Sequence, residues 1–252
     1  MSTSDLERWN RIASAYGASI GGDDDSFYRR LAPFLQTEIG DDLEGRRVLD
    51  LGCGHGWLGA RLAAAGADVL GVDGSRALIR QAQTAHPQLT WQVQDLTEPV
   101  PDSWGRFEVV IAHMVLMGIP DLQVLLDGVC RLLVQDGTFV FTILHPSFFN
   151  QPIVETPPHR WVRAVGGYLD HQTWNIDSFG GHSHYHRPLT WYIQQLLNHG
   201  FVISGIDEPV TLPQHTRPPK DWTDYERWFS RISTMMSIAC RHAAVTNSKA
   251  TT

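Results

Sequence analysis

Lysine is nearly absent: Lys220 and Lys249 are the only two in the chain. The net charge is -7, so the basic footprint of sequence-independent nucleic-acid binding is missing and no nucleic-acid partner is expected. Cysteine is scarce as well. Cys53, Cys130 and Cys240 are odd in number and far apart, which suits neither a disulfide framework nor a zinc site, and no metal is expected. No apolar run approaches the roughly 20 residues of a bilayer span. The N-terminus MSTSDLERWN is polar and acidic, without a signal-peptide core. No membrane partner and a cytoplasmic location are therefore expected. What is present is 42% hydrophobic residue content over 252 residues, one large domain's worth or two small ones. Nine tryptophans hint at an apolar pocket, although most aromatics build core.

Short β-rich runs alternate with amphipathic helical stretches, the pattern of an α/β fold with a mostly parallel sheet. Ser4-Asp-Leu-Glu7 has the form of a capping box and predicts a helix to about Tyr16. Residues 21–25 read as a solvated acidic loop, and Ser26 as the cap of a second helix to about Ile39. Strands are predicted over 47–51, 67–72, 89–94, 107–113 and 138–144. The fourth is a continuous apolar run, as in a strand buried on both faces. A helix over 57–65 should close at Gly66, and Ser75 should cap the next one. Asp121 opens a helix whose apolar face is Leu122, Leu125, Leu126, Val129, Leu132 and Leu133. From His145 to Arg187 the rhythm stops. Four prolines, six histidines and many aromatics mark this stretch as a long irregular insertion, the usual form of a lid or binding loop. Beyond it, Thr190 should cap a helix ending at Gly200. A strand over 201–208, a Pro-rich loop, a short helix near 225–229 and a last strand over 234–241 follow, with the tail AAVTNSKATT frayed.

Val48-Leu-Asp-Leu-Gly-Cys-Gly-His-Gly56 is the most informative segment. A buried strand ends in Asp50, and Gly52, Gly54 and Gly56 then alternate, which permits a tight turn and close backbone approach to a ligand. The following helix points free N–H groups at that ligand. Asp73, at the end of the second strand, can accept both hydroxyls of a ribose. Gly54-His-Gly56-Trp-Leu-Gly59 also matches the dinucleotide pattern G-x-G-x-x-G. Two features weigh against NAD or FAD: Asp50 and Gly52 precede that pattern, and Asp95 adds a second acid at a strand C-terminus, the edge where open α/β sheets bind ligands.

The segment resembles motif I of the class I S-adenosylmethionine-dependent methyltransferases. Asp73-Gly74-Ser75 resembles their acidic ribose site and Gln94-Asp95-Leu96 their adenine site. The stretches MVLMGIPDL, LHPSFF and YHRPLTWYIQQLL resemble a bacterial small-molecule branch with an aromatic cap. The resemblance implies a Rossmann-like sheet of seven strands, the last antiparallel, with helices on both faces. It also implies one domain over 1–252, with N-terminal helices over 1–45 covering the cofactor site and a substrate cap inserted over 145–187. Gly52, Cys53 and Gly54 should pass close to the methionine part of S-adenosylmethionine. Asp73 should hold the ribose, and Asp95 and Leu96 the adenine. The backbone of His113 should bind the cofactor's amino group, although Asn or Ser is more usual there. Tyr16 should reach its carboxylate.

Methyl transfer from a sulfonium is an in-line displacement, so the protein mainly positions the nucleophile and excludes water. His145, directly after the fifth strand, is a candidate general base or a structural cap. In His182-Ser-His184-Tyr-His186, alternate histidines on an extended segment share one face. Metal is disfavoured there because no carboxylate or cysteine accompanies them, and substrate contact, by His186 for example, is the stronger reading. Arg187 either pairs an anionic substrate group or ties the cap to the core. Trp161, Tyr168, Trp174 and Phe179 either line a substrate pocket or form the cap's own core. Met114 and Met117 read as core. The functional expectation is methyl transfer to an O, N or C atom of a small metabolite. An RNA or protein methyltransferase and a non-methylating protein on the same fold are the rivals.

Overall fold

The computed structural model describes residues 3–243 except 23, 159 and 214. Two helices, α1 (Thr3–Ser19) and α2 (Ser26–Ile39), precede a regular alternation. It runs β1 (Arg47–Leu51), α3 (Trp57–Ala64), β2 (Asp68–Asp73), α4 (Arg76–Ala85), β3 (Thr90–Val93), β4 (Phe107–His113), α5 (Gln123–Leu132) and β5 (Leu133–Leu144). Two hairpins follow, β6 (Ile153–Thr156) with β7 (Arg160–Arg163), and β8 (Gln172–Ile176) with β9 (His182–His186). Then come α6 (Leu189–Asn198), β10 (Phe201–Asp207), α7 (Asp224–Phe229) and β11 (Met235–His242). Seven strands form one sheet in the order β10-β11-β5-β4-β1-β2-β3. β11 runs antiparallel to both β10 and β5, and the remaining pairings are parallel.

Successive residues of the central strands point to opposite faces, and both faces are covered. Leu49, Val110, Phe139 and Phe141 face one layer, with Leu125, Leu126 and Val129 of α5 and Tyr192 and Leu196 of α6. Val48, Val109, Ile111 and Val140 face the other, with Leu31, Phe34 and Leu35 of α2 and Leu58 and Leu62 of α3. The parallel strands end together on one side, with β1 and β4 in register at Asp50 and Ile111. That edge is where this architecture binds ligands.

Several local expectations are corrected. α1 continues to Ser19. Asp25, not Ser26, caps α2, accepting from the Phe27 N–H at 2.7 Å; the acidic stretch is therefore partly structural. α6 begins at Leu189 behind Pro188 rather than at a Thr190 cap, because the Tyr168 hydroxyl accepts the Leu189 N–H at 2.9 Å. β5 starts at Leu133, since α5 passes straight into extended chain and Leu133 pairs with Phe107. The insertion is not irregular: it is the two hairpins. The expected fraying of the C-terminal tail concerns residues 244–252, outside the described residues.

Arg187 ties this insertion to the sheet. It is 4% exposed, and its guanidinium donates to the carbonyls of Leu116, Ile119 and Pro120 at 3.4, 2.5 and 2.7 Å. Arg187→Met keeps the apolar stem and strands those carbonyls. A loss of about 1–3 kcal/mol is expected, with faster hydrogen exchange in β8 and β9 than in β4 and β5. Equal acceleration throughout would contradict this local role.

Candidate cofactor site

A cavity opens at the C-terminal ends of β1, β2 and β4. The loop after β1 forms its floor. Gly52 has φ +71, and a Cβ there would meet Val115 Cγ2 at 2.5 Å, so both the backbone sign and the close approach demand glycine. Gly54, at φ +58, lies under the ring of Tyr16, 3.2 Å from where its Cβ would be. Cys53 belongs to this loop only through its backbone: its side chain is buried in a cluster with Ile79, Ala82 and Trp91.

Asp73 closes the end of β2. Its Oδ2 accepts the Gly54 N–H at 3.0 Å and its Oδ1 the Ser75 N–H at 2.7 Å. Each oxygen keeps a second lone pair, the donor-free side that a vicinal diol requires. Burial pushes this carboxyl up to about 6, against the lowering effect of the two N–H groups. Asp50 lies below, 1% exposed. Burial and the charge of Asp73 push it up to about 7, and its Oδ2 has no hydrogen-bond partner. Asp50 therefore supports the loop, bonded to the Gly59 N–H, rather than lining the cavity.

Gly74, Leu96 and His113 line the cavity, together with Tyr16 and Trp9 of α1. Asp95, next to Leu96, does not line it; its Oδ1 accepts from the Thr97 N–H and hydroxyl at 2.9 and 2.8 Å. Ser75 is buried and caps α4, accepting from the Leu78 N–H at 3.3 Å. The His113 ring lies 2.7 Å, Nδ1 to Oγ1, from Thr142. That hydroxyl also accepts the Met114 N–H at 3.1 Å. Burial pulls His113 down to about 4. Burial and the charge of Asp73 raise the Tyr16 hydroxyl above its usual value.

The N-terminal cover is α1 alone. Leu6, Trp9 and Tyr16 line the cavity, whereas α2 packs on the far side of the sheet. Sequence reasoning missed Asn10, whose Oδ1 accepts from the Ser75 hydroxyl and the Ala77 N–H at 2.9 and 3.0 Å. It also missed Leu6, which covers Gly74. Leu6, Asn10, Ala13 and Gly17 recur at helical spacing, so one face of α1 was readable as a contact face.

The two catalytic candidates are not brought to this cavity. His145 is 4% exposed. Its Nδ1 accepts the Ser147 N–H at 3.1 Å, so Nε2 carries the proton that goes to Glu208 Oε1 at 2.6 Å. Neither nitrogen retains a lone pair for a substrate. His186 is 2% exposed, donates from Nε2 to the Tyr168 carbonyl at 3.0 Å and stacks on Trp174. Trp161 packs on Tyr225 and Trp228. Tyr168 and Trp174 thus pack against His186 within the insertion, Trp161 packs on α7, and Phe179 meets Tyr16 edge-on.

Residues 48–137 match a family model described as a methyltransferase domain. The malonyl-[acyl-carrier protein] O-methyltransferase of Erwinia billingiae is 29% identical, over 68% of this chain and 69% of that enzyme. A ubiquinone biosynthesis O-methyltransferase of Coxiella burnetii is 34% identical over 46% of this chain; the match spans about half of that relative's length, 50%. Among solved structures, an S-adenosylmethionine-dependent methyltransferase of Mesorhizobium loti superposes with a TM-score of 0.69, at 23% identity, over 84% of this chain and 98% of its own. The matched residues include β1, the glycine loop, Asp73, Asp95 and β4. Residues 48–137 therefore carry a methyltransferase domain, and the chain has the fold of S-adenosylmethionine-dependent methyltransferases.

Proposed function

We propose that the protein methylates a small metabolite, with S-adenosylmethionine in the cavity beneath α1. The observation that carries this is the Asp73 carboxylate, which lines the cavity while held by the Gly54 and Ser75 N–H groups. In this reading Asp73 accepts the ribose hydroxyls, Asp95 and the Leu96 backbone meet the adenine, and Gly52, Cys53 and Gly54 give room along the methionine. The His113 carbonyl takes the amino group and Tyr16 the carboxylate. S-adenosylmethionine supplies a methyl group already activated by its sulfonium. The remaining tasks are orientation and exclusion of water, which Trp9, Tyr16 and Leu6 perform as a lid. His113 is too weak a base and Tyr16 too weak an acid to exchange protons near neutral pH. That favours an acceptor arriving with a lone pair ready, such as a carboxylate or a neutral amine.

The net charge of -7 supports a small substrate over a nucleic acid. No described helix is long and apolar enough to cross a membrane. The test is calorimetric titration with S-adenosylhomocysteine and, separately, NADH. Micromolar binding of the first alone is expected; binding of NADH alone would return the Gly54–Gly59 pattern to the dinucleotide reading.

A further inference from the structure

A second groove lies beside the cofactor cavity between the start of α2, the insertion and the loop before β11. The two share a wall. Phe179 lines the groove and meets, edge-on at 5.2 Å, the ring of Tyr16, which lines the cavity. Phe27, Leu212 and Phe229 give the groove apolar sides. An adjoining depression shares Phe27, Phe229 and Thr234 and ends at Arg163.

Arg30 lines this groove at 5% exposure. Its Nε donates to the Ser26 carbonyl at 3.0 Å and its Nη1 to Thr234 Oγ1 at 3.1 Å. Both partners are neutral oxygens. Its other terminal amino group has no acceptor, and no carboxylate lies within ion-pair distance, among the described residues. The ring of Phe27 lies 4.8 Å from the guanidinium carbon. Two acids also line the groove, and both are engaged elsewhere. Asp25 accepts the Gly21 and Phe27 N–H groups at 2.6 and 2.7 Å. Asp24 accepts from Thr216 and pairs with Arg29 at 3.4 Å. Burial pulls Arg30 down to about 10, against the raising charge of nearby Asp25. A buried guanidinium paired only with neutral oxygens is costly, and an incoming oxyanion offsets that cost with a two-pronged contact. A glutamine ends at the level of the arginine Nε, so it keeps the reach to the Ser26 carbonyl without carrying a charge.

We propose that this groove is the acceptor subsite and takes a small carboxylate with a flat apolar body, its carboxylate on Arg30 and its body between Phe27 and Phe229. The assignment rests on the neighbouring cavity being the cofactor site, because that makes this groove the acceptor's.

The experiment uses the whole protein saturated with S-adenosylhomocysteine, titrated with 4-phenylbutyrate and with its neutral isostere 4-phenylbutyramide. The carboxylate should bind at least tenfold more tightly than the amide. Arg30→Gln should remove that preference, Arg30→Lys should keep part of it, and Phe229→Ala should weaken both ligands alike. Equal affinity of the two ligands for the wild-type protein overturns the proposal, and needs no variant to fold. A preference that survives in a folded Arg30→Gln protein overturns it as well. S-adenosylhomocysteine binding is read first in the same cell. If it is absent, the cofactor reading fails, and the same carboxylate–amide comparison on the unliganded protein still decides whether Arg30 selects an anion.

Discussion

Asp73→Ala should weaken S-adenosylhomocysteine binding by at least about 100-fold while leaving the protein folded. The carboxylate lines the cavity and has accepted one N–H per oxygen, which leaves each oxygen capacity for a ligand, and each charge-assisted hydrogen bond is worth roughly 1.5–3 kcal/mol. Two such bonds to a ribose diol lie well above the 1.4 kcal/mol of one decade. Alanine leaves the Gly54 and Ser75 N–H groups without their acceptor, but it also removes a carboxyl that burial pushes up from its usual value to about 6, so the loss of stability should be modest. The ionised form is therefore penalised in the unliganded protein at neutral pH. The sign follows from a raised folded-state pKa in an acid: the penalty is present above about 6 and is relieved as the pH falls below it. Ligand hydroxyls need the ionised form, so affinity should fall as pH drops through about 6, by at most tenfold per unit. Asp50 titrates in a neighbouring window, up at about 7, so the informative quantity is the difference in pH slope between wild type and Asp73→Ala. Calorimetry at pH 5, 6 and 8 measures it. Parallel slopes would show that Asp73 is not the group meeting the ligand.

Much of that site was legible because its chemistry is local. Asp73, Gly74 and Ser75 follow one another at a strand end, and Gly52 to Gly56 show their alternation on the page. β4 is bounded as its apolar run predicts, since a strand buried on both faces leaves no ambiguity of period. The hairpins were illegible for the opposite reason. β6 to β9 are largely half-exposed and rich in His, Trp and Arg, so hydrophobic alternation never develops. The starts of α2 and α6 differ from expectation because competing partners stood next door or far away in sequence: the acid Asp25 in one case, the Tyr168 hydroxyl that accepts the Leu189 N–H in the other. His145 looked catalytic from its position at a strand end. Only the fold shows that Ser147 and Glu208 occupy its two nitrogens.

The Gly54-x-Gly56-x-x-Gly59 pattern has a cause that sequence alone does not supply. Trp91 of β3, 6% exposed, is inserted among glycines. A Cβ at Gly56 would meet its Cη2 at 2.8 Å, one at Gly59 the same atom at 3.0 Å, and one at Gly71 its Cζ3 at 2.2 Å. Its indole N–H donates to the His86 carbonyl at 3.0 Å. Two glycines that mimic a dinucleotide fingerprint therefore make room for a tryptophan beneath the cofactor loop. Trp91→Ala should cost about 3–5 kcal/mol in chemical denaturation, the range for emptying a buried aromatic site. Cofactor affinity should fall less than in Asp73→Ala, because the ring touches the loop and not the cavity. Gly71→Ala alone should be destabilising by about 1–3 kcal/mol, since the indole is hemmed in and cannot yield. In the Trp91→Ala background the closest packing contact of the added methyl group is Cys53 Cβ, at 3.2 Å, and most of that cost should vanish. A double-mutant cycle on denaturation midpoints measures the coupling. If Gly71→Ala costs the same in both backgrounds, the glycine answers to backbone conformation or ligand approach, and the packing account of the pattern fails.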